Sequence, residues 1–326
     1  MRKSLVALVA VLSLALTGCS GPVADYSTLK PVCGKLKDTA EVDKIQAVGA
    51  FNTKPKVTLP APISSKEIVS HVLIEGSGPA FVGDQMVKFE YTAVNAATGE
   101  SFSTSNYDGT DAVTQNFGPD QQINFCKALS GVKEGSRVSV LIPAKMAHKN
   151  QGDSTSGIGP NDDVIFVMDL IKVYYPKAIG EMQKLPDGSP SIIRTSKGQP
   201  SVQIPIAPAP TELKLYNTIK SANPETIALG DTVTLQYSGF LWSDGTQFDS
   251  SWGNAPVQWK LTSDGFIRGF VKALTESRGG QAPHVGDEIM AIIPPADGYG
   301  NTAQGSIPPN STLVFVIDIL GVEKTK

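Results

Sequence analysis

"TQFDSSWGNAPVQWKLTSDGFIRGF", residues 246–270, sets five aromatic rings beside only four charged side chains. Apolar surface left in water is unfavourable by about 25 cal/mol per Å², so these rings are expected to meet in a core or a dry bowl. The stretch runs into "GFIRGFVKAL" (265–274), where Phe266, Ile267, Phe270, Val271 and Leu274 recur at helical spacing, with Ser263 or Asp264 as N-cap. Upstream, "DTVTLQYSG" alternates Val233, Leu235 and Tyr237 on one face, the period of a strand. "WSDGTQFD" reads as a turn into a further strand, and "PVQWKL", "VGDEIMAIIP" and "TLVFVIDILGV" as three more. Several antiparallel strands with one short helix laid across them predict an α+β domain, its aromatics gathered where helix meets sheet.

The chain says this twice. "KPKVTLPAPISSKEIVSHVLIEGSG" (54–78) parallels "QPSVQIPIAPAPTELKLYNTIKSAN" (199–223). "VGDQMVKFEYTA" parallels "LGDTVTLQYSGF", "CKAL" parallels "VKAL", and "VIFVMDLIKV" parallels "LVFVIDILGV". Tyr91 thereby matches Tyr237, Ala128 matches Ala273 and Phe166 matches Phe315. The period is of whole-domain length, beyond the roughly 20–50 residues of a solenoid repeat. The expected organisation is a signal peptide at 1–18, a tether at 19–43, a first domain at 44–175, a linker at 176–189 and a second domain at 190–326.

The N-terminus carries Arg2 and Lys3, an apolar run from Leu5 to Leu16, and then Leu16-Thr17-Gly18-Cys19. This is a secretory signal, too short to span a membrane as a helix. "LTGC" resembles the lipobox of bacterial lipoproteins, which implies lipidation of Cys19 and an extracytoplasmic protein anchored to a membrane by its lipid. Cys33 and Cys126 remain. In an oxidising compartment an even remainder suggests one disulfide, pinning the N-terminal arm to the first domain; two separate thiols are the alternative.

With 28 basic and 31 acidic residues, net charge -3, the chain gives no reason to expect a nucleic acid partner. "GDSTSG" (152–157) superficially resembles a serine-protease nucleophile region, but it lies in a Gly/Ser-rich loop with no second motif to supply a base and its carboxylate. His71, His148 and His284 are scattered, so no metal-ligand spacing exists, and neither a metal nor a cofactor is expected.

The second domain resembles the FKBP family of peptidyl-prolyl cis-trans isomerases. The matching pieces, "QYSGFLWSDGTQFDSS", "GFIRGF", "IIPPADGYG" and "SIPPNSTLVFVIDIL", occur in order over most of the domain. The resemblance implies two FKBP-like domains, each a curved antiparallel sheet wrapped around one short helix. It implies a substrate pocket of Tyr237, Phe248, Val257, Phe266, Phe270 and Phe315, with Asp249, Ile267 and Tyr299 serving catalysis. The backbone N–H of Ile267 would bind the substrate carbonyl, while Tyr299 and Asp249 orient the peptide. Proline-containing polypeptides are the implied clients, and macrolide-type ligands are implied as well.

Two departures stand out. The family usually has tryptophan at the pocket floor, where this chain has Phe270, so a looser fit and altered turnover are expected. "TESRGGQAPH" (275–284) alters the loop after the helix. In the first domain Tyr91, Phe102, Phe125 and Phe166 keep the aromatic positions, but Ser103 stands for Asp249, Gln122 for Ile267 and His148 near Tyr299. That domain is expected to keep the fold without efficient isomerisation. The expected function is proline isomerisation in exported proteins by the second domain; the alternative is a non-catalytic, proline-binding holdase.

Overall fold

The computed structural model describes residues 26–34, 36, 41–121 and 123–325. The expected signal peptide and the lipidation site at Cys19 lie outside the described residues, as does Gln122. The first copy of the repeat contains β1 (Gln46–Val48), β2 (Lys56–Thr58), β3 (Val69–Ile74), β4 (Gln85–Asn95), β5 (Ser101–Thr104), β6 (Val113–Phe117), α1 (Phe125–Leu129), β7 (Arg137–Ile142), α2 (Ala144–Ala147) and β8 (Val164–Val173). The second contains β9 (Glu181–Met182), β10 (Ser191–Arg194), β11 (Pro200–Gln203), β12 (Lys214–Lys220), β13 (Thr232–Leu241), β14 (Gln247–Ser250), β15 (Val257–Lys260), α3 (Arg268–Glu276), β16 (Glu288–Ile293) and β17 (Leu313–Glu323).

Both main sheets are antiparallel and follow one order. The first runs β3-β7-β8-β4-β5 with β6 also on β4; the second runs β12-β16-β17-β13-β14 with β15 also on β13, and adds β9 beyond β12. The strands are apolar on both faces because both faces are covered. In the second sheet Ile289, Ala291, Ile293, Phe315 and Ile317 share an inner core with Phe270, Ala273 and Leu274 of α3. Met290, Ile292, Val314 and Val316 point the other way and pack against Ile192, Val202 and Ile204 of a hairpin arm. The first sheet is covered likewise, with Val69, Leu141, Ile165 and Val167 facing Ala47, Val57 and Leu59.

A two-stranded hairpin is marginal alone, and here an arginine helps hold each one to its sheet. Arg137 of β7 is fully buried and sits opposite Asp169 in register. It donates to the Asp169 carboxylate at 2.6 Å and to the carbonyls of Gly49 at 2.9 Å, Ala50 at 3.0 Å and Thr53 at 2.8 Å around the β1–β2 turn. The same register in the second sheet pairs Glu288 with Asp318, reversing the charge on the sheet. Arg194 of the β10 hairpin supplies the cation, donating from Nε to Glu288 at 2.8 Å.

The segment expected to be a linker is part of the second sheet's hydrogen bonding. Ala178 N donates to Asp318 at 2.8 Å and Ile179 N to Gly286 O at 2.9 Å, and just before the segment Tyr175 N donates to Leu320 O at 2.8 Å. Tyr174 is fully buried and donates its hydroxyl to Glu323, which also accepts from Lys88 of the first sheet at 2.7 Å. The Tyr174 ring lies directly on Gly321, where any side chain would run into it. At the other end of the first unit, Cys33 and Cys126 form a disulfide with Cα atoms 5.8 Å apart. Of the two arrangements open to this cysteine pair, the bond is the one found.

Candidate active site

A cavity of about 660 Å³ opens between β13, β14, β15, the start of α3 and the loop before β17. Its lining includes Tyr237, Phe248, Asp249, Phe266, Ile267, Phe270, Tyr299 and Phe315. The size and the largely aromatic wall suit a small apolar group held by a few polar contacts. Each wall residue is placed by its strand. Tyr237 pairs with Ile317, and Gly239 pairs with both Asp249 and Phe315, so the three strands bring their inward side chains to one level. Gly239 has no side chain at that level because the rings of Phe248 and Phe315 occupy the space a Cβ would take. Those rings meet edge to face with centroids 5.4 Å apart.

The floor is an aromatic lattice. Phe270 stands edge-on to Phe315 at 5.3 Å and to Tyr237 at 6.3 Å, and stacks on Phe266 at 5.6 Å. Trp259, absent from the expected set, also lines the cavity and lies 5.3 Å from Tyr237, 5.2 Å from Phe266 and 6.1 Å from Phe270. Val257 is the exception among the expected residues. It is outside the lining, and its half-buried side chain packs against the inner core. Trp259 lies two residues further along the same strand face, and its larger ring reaches the cavity. That spacing is the signal that could have found it. At Phe270, where a looser fit is expected, the indole of Trp259 stands beside the smaller ring. Trp252, the fifth aromatic of the opening stretch, leaves the group and packs on Gly198 at the tip of the β10–β11 hairpin.

The polar groups are few. Tyr237 donates to Asp249 Oδ2 at 2.5 Å, and Asp249 Oδ1 accepts from Ser250 N at 2.8 Å. Burial, followed by the hydrogen bond to the Asp249 carboxylate and its charge, raises the Tyr237 phenol well above its ordinary range. Burial and the Asp249 charge also raise Tyr299. Both phenols therefore remain neutral donors at ordinary pH. Among the described residues, the Tyr299 hydroxyl makes no hydrogen bond and the Ile267 N–H donates to no protein acceptor.

Ile267 owes that freedom to the start of α3. Neither Ser263 nor Asp264 caps the helix, contrary to expectation; Ile267 itself holds the N-cap position, extended at φ -58° and ψ 144°, without a side-chain cap. Residues 263–266 bend before the helix begins, and Asp264 is turned to the cavity mouth. The Ile267 carbonyl then accepts from Phe270 N at 3.0 Å and Val271 N at 3.2 Å.

The first unit builds the corresponding place differently. Ser103 Oγ is hydrogen-bonded to the Tyr91 hydroxyl at 3.0 Å, where the second unit has a carboxylate. His148 is tied into its own loop, with Nε2 2.8 Å from Asp162 O and Nδ1 accepting from Gly152 N at 3.0 Å. Phe117, 1% exposed, packs between Phe89 at 5.6 Å and Phe125 at 5.3 Å. Phe125 stands edge-on to Phe166 at 5.7 Å. Phe102 lies at the side of a separate groove with Lys54, Pro55 and Thr104. Among the described residues no cluster of His, Cys, Asp or Glu could hold a metal ion, and no helix is long and apolar enough to cross a membrane.

Comparison with known proteins agrees with this geometry. The chain is 37% identical over 95 residues to the FK506-binding protein 2 of Aspergillus oryzae, an alignment covering 29% of this chain and 66% of that one, just under two thirds. It is 33% identical over 121 residues to an FK506-binding protein of Streptomyces anulatus, covering 37% of this chain and 97% of that one. It is 34% identical over 110 residues to the FKBP-type peptidyl-prolyl cis-trans isomerase FkpA of Escherichia coli, covering 33% of this chain and 37% of that one. Residues 78–171 and 223–320, together more than half of the chain, each match the family model described as FKBP-type peptidyl-prolyl cis-trans isomerase, and the chain belongs to that family.

Proposed function

We infer that the chain is a peptidyl-prolyl cis-trans isomerase whose turnover takes place in a second domain at 190–326. The observation that carries this reading is the aromatic cup in which the Ile267 N–H and the Tyr299 hydroxyl have no hydrogen-bond partner among the described residues. Rotation about an Xaa-Pro bond is slow because amide resonance holds the bond flat, with a barrier of about 18–20 kcal/mol. Twisting breaks that resonance and leaves a less dipolar amide, which a dry apolar cavity favours over the planar form. Each ~1.4 kcal/mol taken from the barrier gives about tenfold in rate, and no nucleophile is required. The Ile267 N–H receives the substrate carbonyl, the Tyr299 hydroxyl orients the peptide, and Asp249 fixes Tyr237.

The first domain, at 44–175, keeps the fold and serves as a spacer or as a weak binder of peptide. The serine at 103, the internally tied His148 and the aromatic packing around Phe117 support that division. Lipidation of Cys19 would hold the protein outside the cytoplasm at a membrane, with exported, proline-containing polypeptides as clients and macrolides as further ligands of the same cup. The competing reading is a non-catalytic holdase. The full chain mixed with an Xaa-Pro peptide separates the two: faster cis-trans exchange supports the enzyme, while saturable binding at an unchanged exchange rate supports the holdase.

A further inference from the structure

We propose that Trp259 is a specificity-determining wall of the cup, supplying both the aromatic surface against which the prolyl ring rests and a second N–H donor for the bound peptide. The proposal rests on the reading of the cavity as a proline site and deepens it.

Phe270, on which the floor was expected to depend, is 4% exposed and hemmed in by Tyr237, Trp259, Phe266 and Phe315. It holds the lattice together and has little surface left for a ligand. Trp259 is only partly buried, lines the cavity, and has neighbours on one side in Tyr237, Phe266 and Phe270. Its position is rigid, because register pairing of Val233 with Trp259 fixes the backbone on β13.

The indole nitrogen adds a polar handle. Among the described residues Trp259 Nε1 has no protein acceptor, and it is not among the buried polar atoms without partners, so it is reachable from solvent. By contrast, Trp242 Nε1 donates to Ala207 O at 3.3 Å, and Trp252 Nε1 is buried and unpaired away from the cup. A ring that is apolar on its face and donates from its edge fits a proline flanked by backbone carbonyls. At the same register the first unit has Gln115, opposite Val87 and exposed. The first unit's aromatic on this strand face is Phe117, two residues on and 1% exposed, so a partly exposed ring at this register belongs to the second unit.

The test uses the full chain and an Xaa-Pro tetrapeptide. Trp259→Phe keeps an aromatic ring but shortens it and removes the N–H; Trp259→Gln copies the first unit. Losing contacts made equally in ground and transition states raises KM with kcat little changed. The expected result for Trp259→Phe is a KM about tenfold higher with kcat within about twofold, and a larger rise for Trp259→Gln. A parallel measurement avoids dependence on variant folding. The chain has three tryptophans, so 5-fluorotryptophan labelling gives a small set of fluorine resonances, assigned with Trp242→Phe and Trp252→Phe. Peptide is expected to move the Trp259 resonance and leave the others in place. If the unmodified chain neither binds nor turns over the peptide, the proline-site reading itself fails. If it does both while the Trp259 resonance stays still, or folded Trp259→Phe keeps the original KM, the role given to Trp259 is overturned and the site reading stands.

Discussion

The Tyr237 hydroxyl donates to the Asp249 carboxylate at 2.5 Å, tying the central strand β13 to the neighbouring strand β14 at the wall of the cup. The bond orients the phenol and keeps one carboxylate oxygen engaged. Replacing Asp249 with alanine leaves a buried phenol without its partner, a loss of about 1–3 kcal/mol for a charge-assisted hydrogen bond. Expressed in rate, this is about 5- to 150-fold. The expected outcome for Asp249→Ala is a fall of that order in isomerisation with the far-ultraviolet dichroism unchanged, while Ser103→Ala, at the matching place in the first unit, leaves the rate as it was.

Gly239 decides whether Phe248 and Phe315 can meet. A methyl group there intrudes on both rings, and overpacking of this kind costs about 1–3 kcal/mol. Gly239→Ala is expected to lower the unfolding midpoint of the second unit and to weaken binding of a proline peptide, read by denaturant titration and calorimetry. Unchanged binding would mean that the Phe248 wall contributes nothing.

The pair Glu288 and Asp318 gives the second unit a pH dependence. Burial, and then the neighbouring Glu288 charge, raise the Asp318 carboxyl well above the ordinary carboxylate range. The folded chain thus keeps a proton that the unfolded chain has released. The associated stability is fully present below the ordinary carboxylate value and is lost as pH rises through the raised folded value. Thermal midpoints are expected to fall from mildly acidic toward alkaline pH, and Asp318→Asn is expected to flatten that slope. A midpoint rising over the same range would contradict the assignment.

The Cys33–Cys126 bond closes a loop across a sequence separation of 93 residues. Native disulfides of this kind contribute about 2–5 kcal/mol. Cys33→Ser with Cys126→Ser is expected to lower the first unit's unfolding midpoint and leave the full chain's isomerisation rate untouched. Differential scanning calorimetry and a rate assay on the same sample report both.

The main strands and the position of the cup were legible because Val233, Leu235 and Tyr237 alternate along β13, and because Tyr91 and Tyr237 fall at matching places in the two copies. The start of α3 was not, since propensity favours Ser263 or Asp264 as caps, whereas the bend at 263–266 leaves Ile267 extended at the helix start. Trp259 was not legible as a wall residue because the family resemblance points to Val257, although both share a strand face. The hairpin arms were only half visible. Only their second strands, β2 and β11, lie within the repeated segments, and nothing local shows that β16 needs cover on its second face, nor that Arg137 holds its hairpin from the sheet while Arg194 holds its own sheet from the hairpin. Those are relations between residues far apart in sequence, fixed only once the sheets are assembled.

The central claim is that the apolar cup of the second unit favours the twisted prolyl bond. Its most direct test is the cis-trans exchange rate of an Xaa-Pro tetrapeptide, followed by NMR exchange spectroscopy with the full chain, with Phe248→Ala and with Tyr91→Phe. The expected result is at least about tenfold acceleration by the unmodified chain, most of it lost in Phe248→Ala and all of it kept in Tyr91→Phe. An exchange rate that the unmodified chain leaves unchanged, or an acceleration that survives Phe248→Ala, would contradict it.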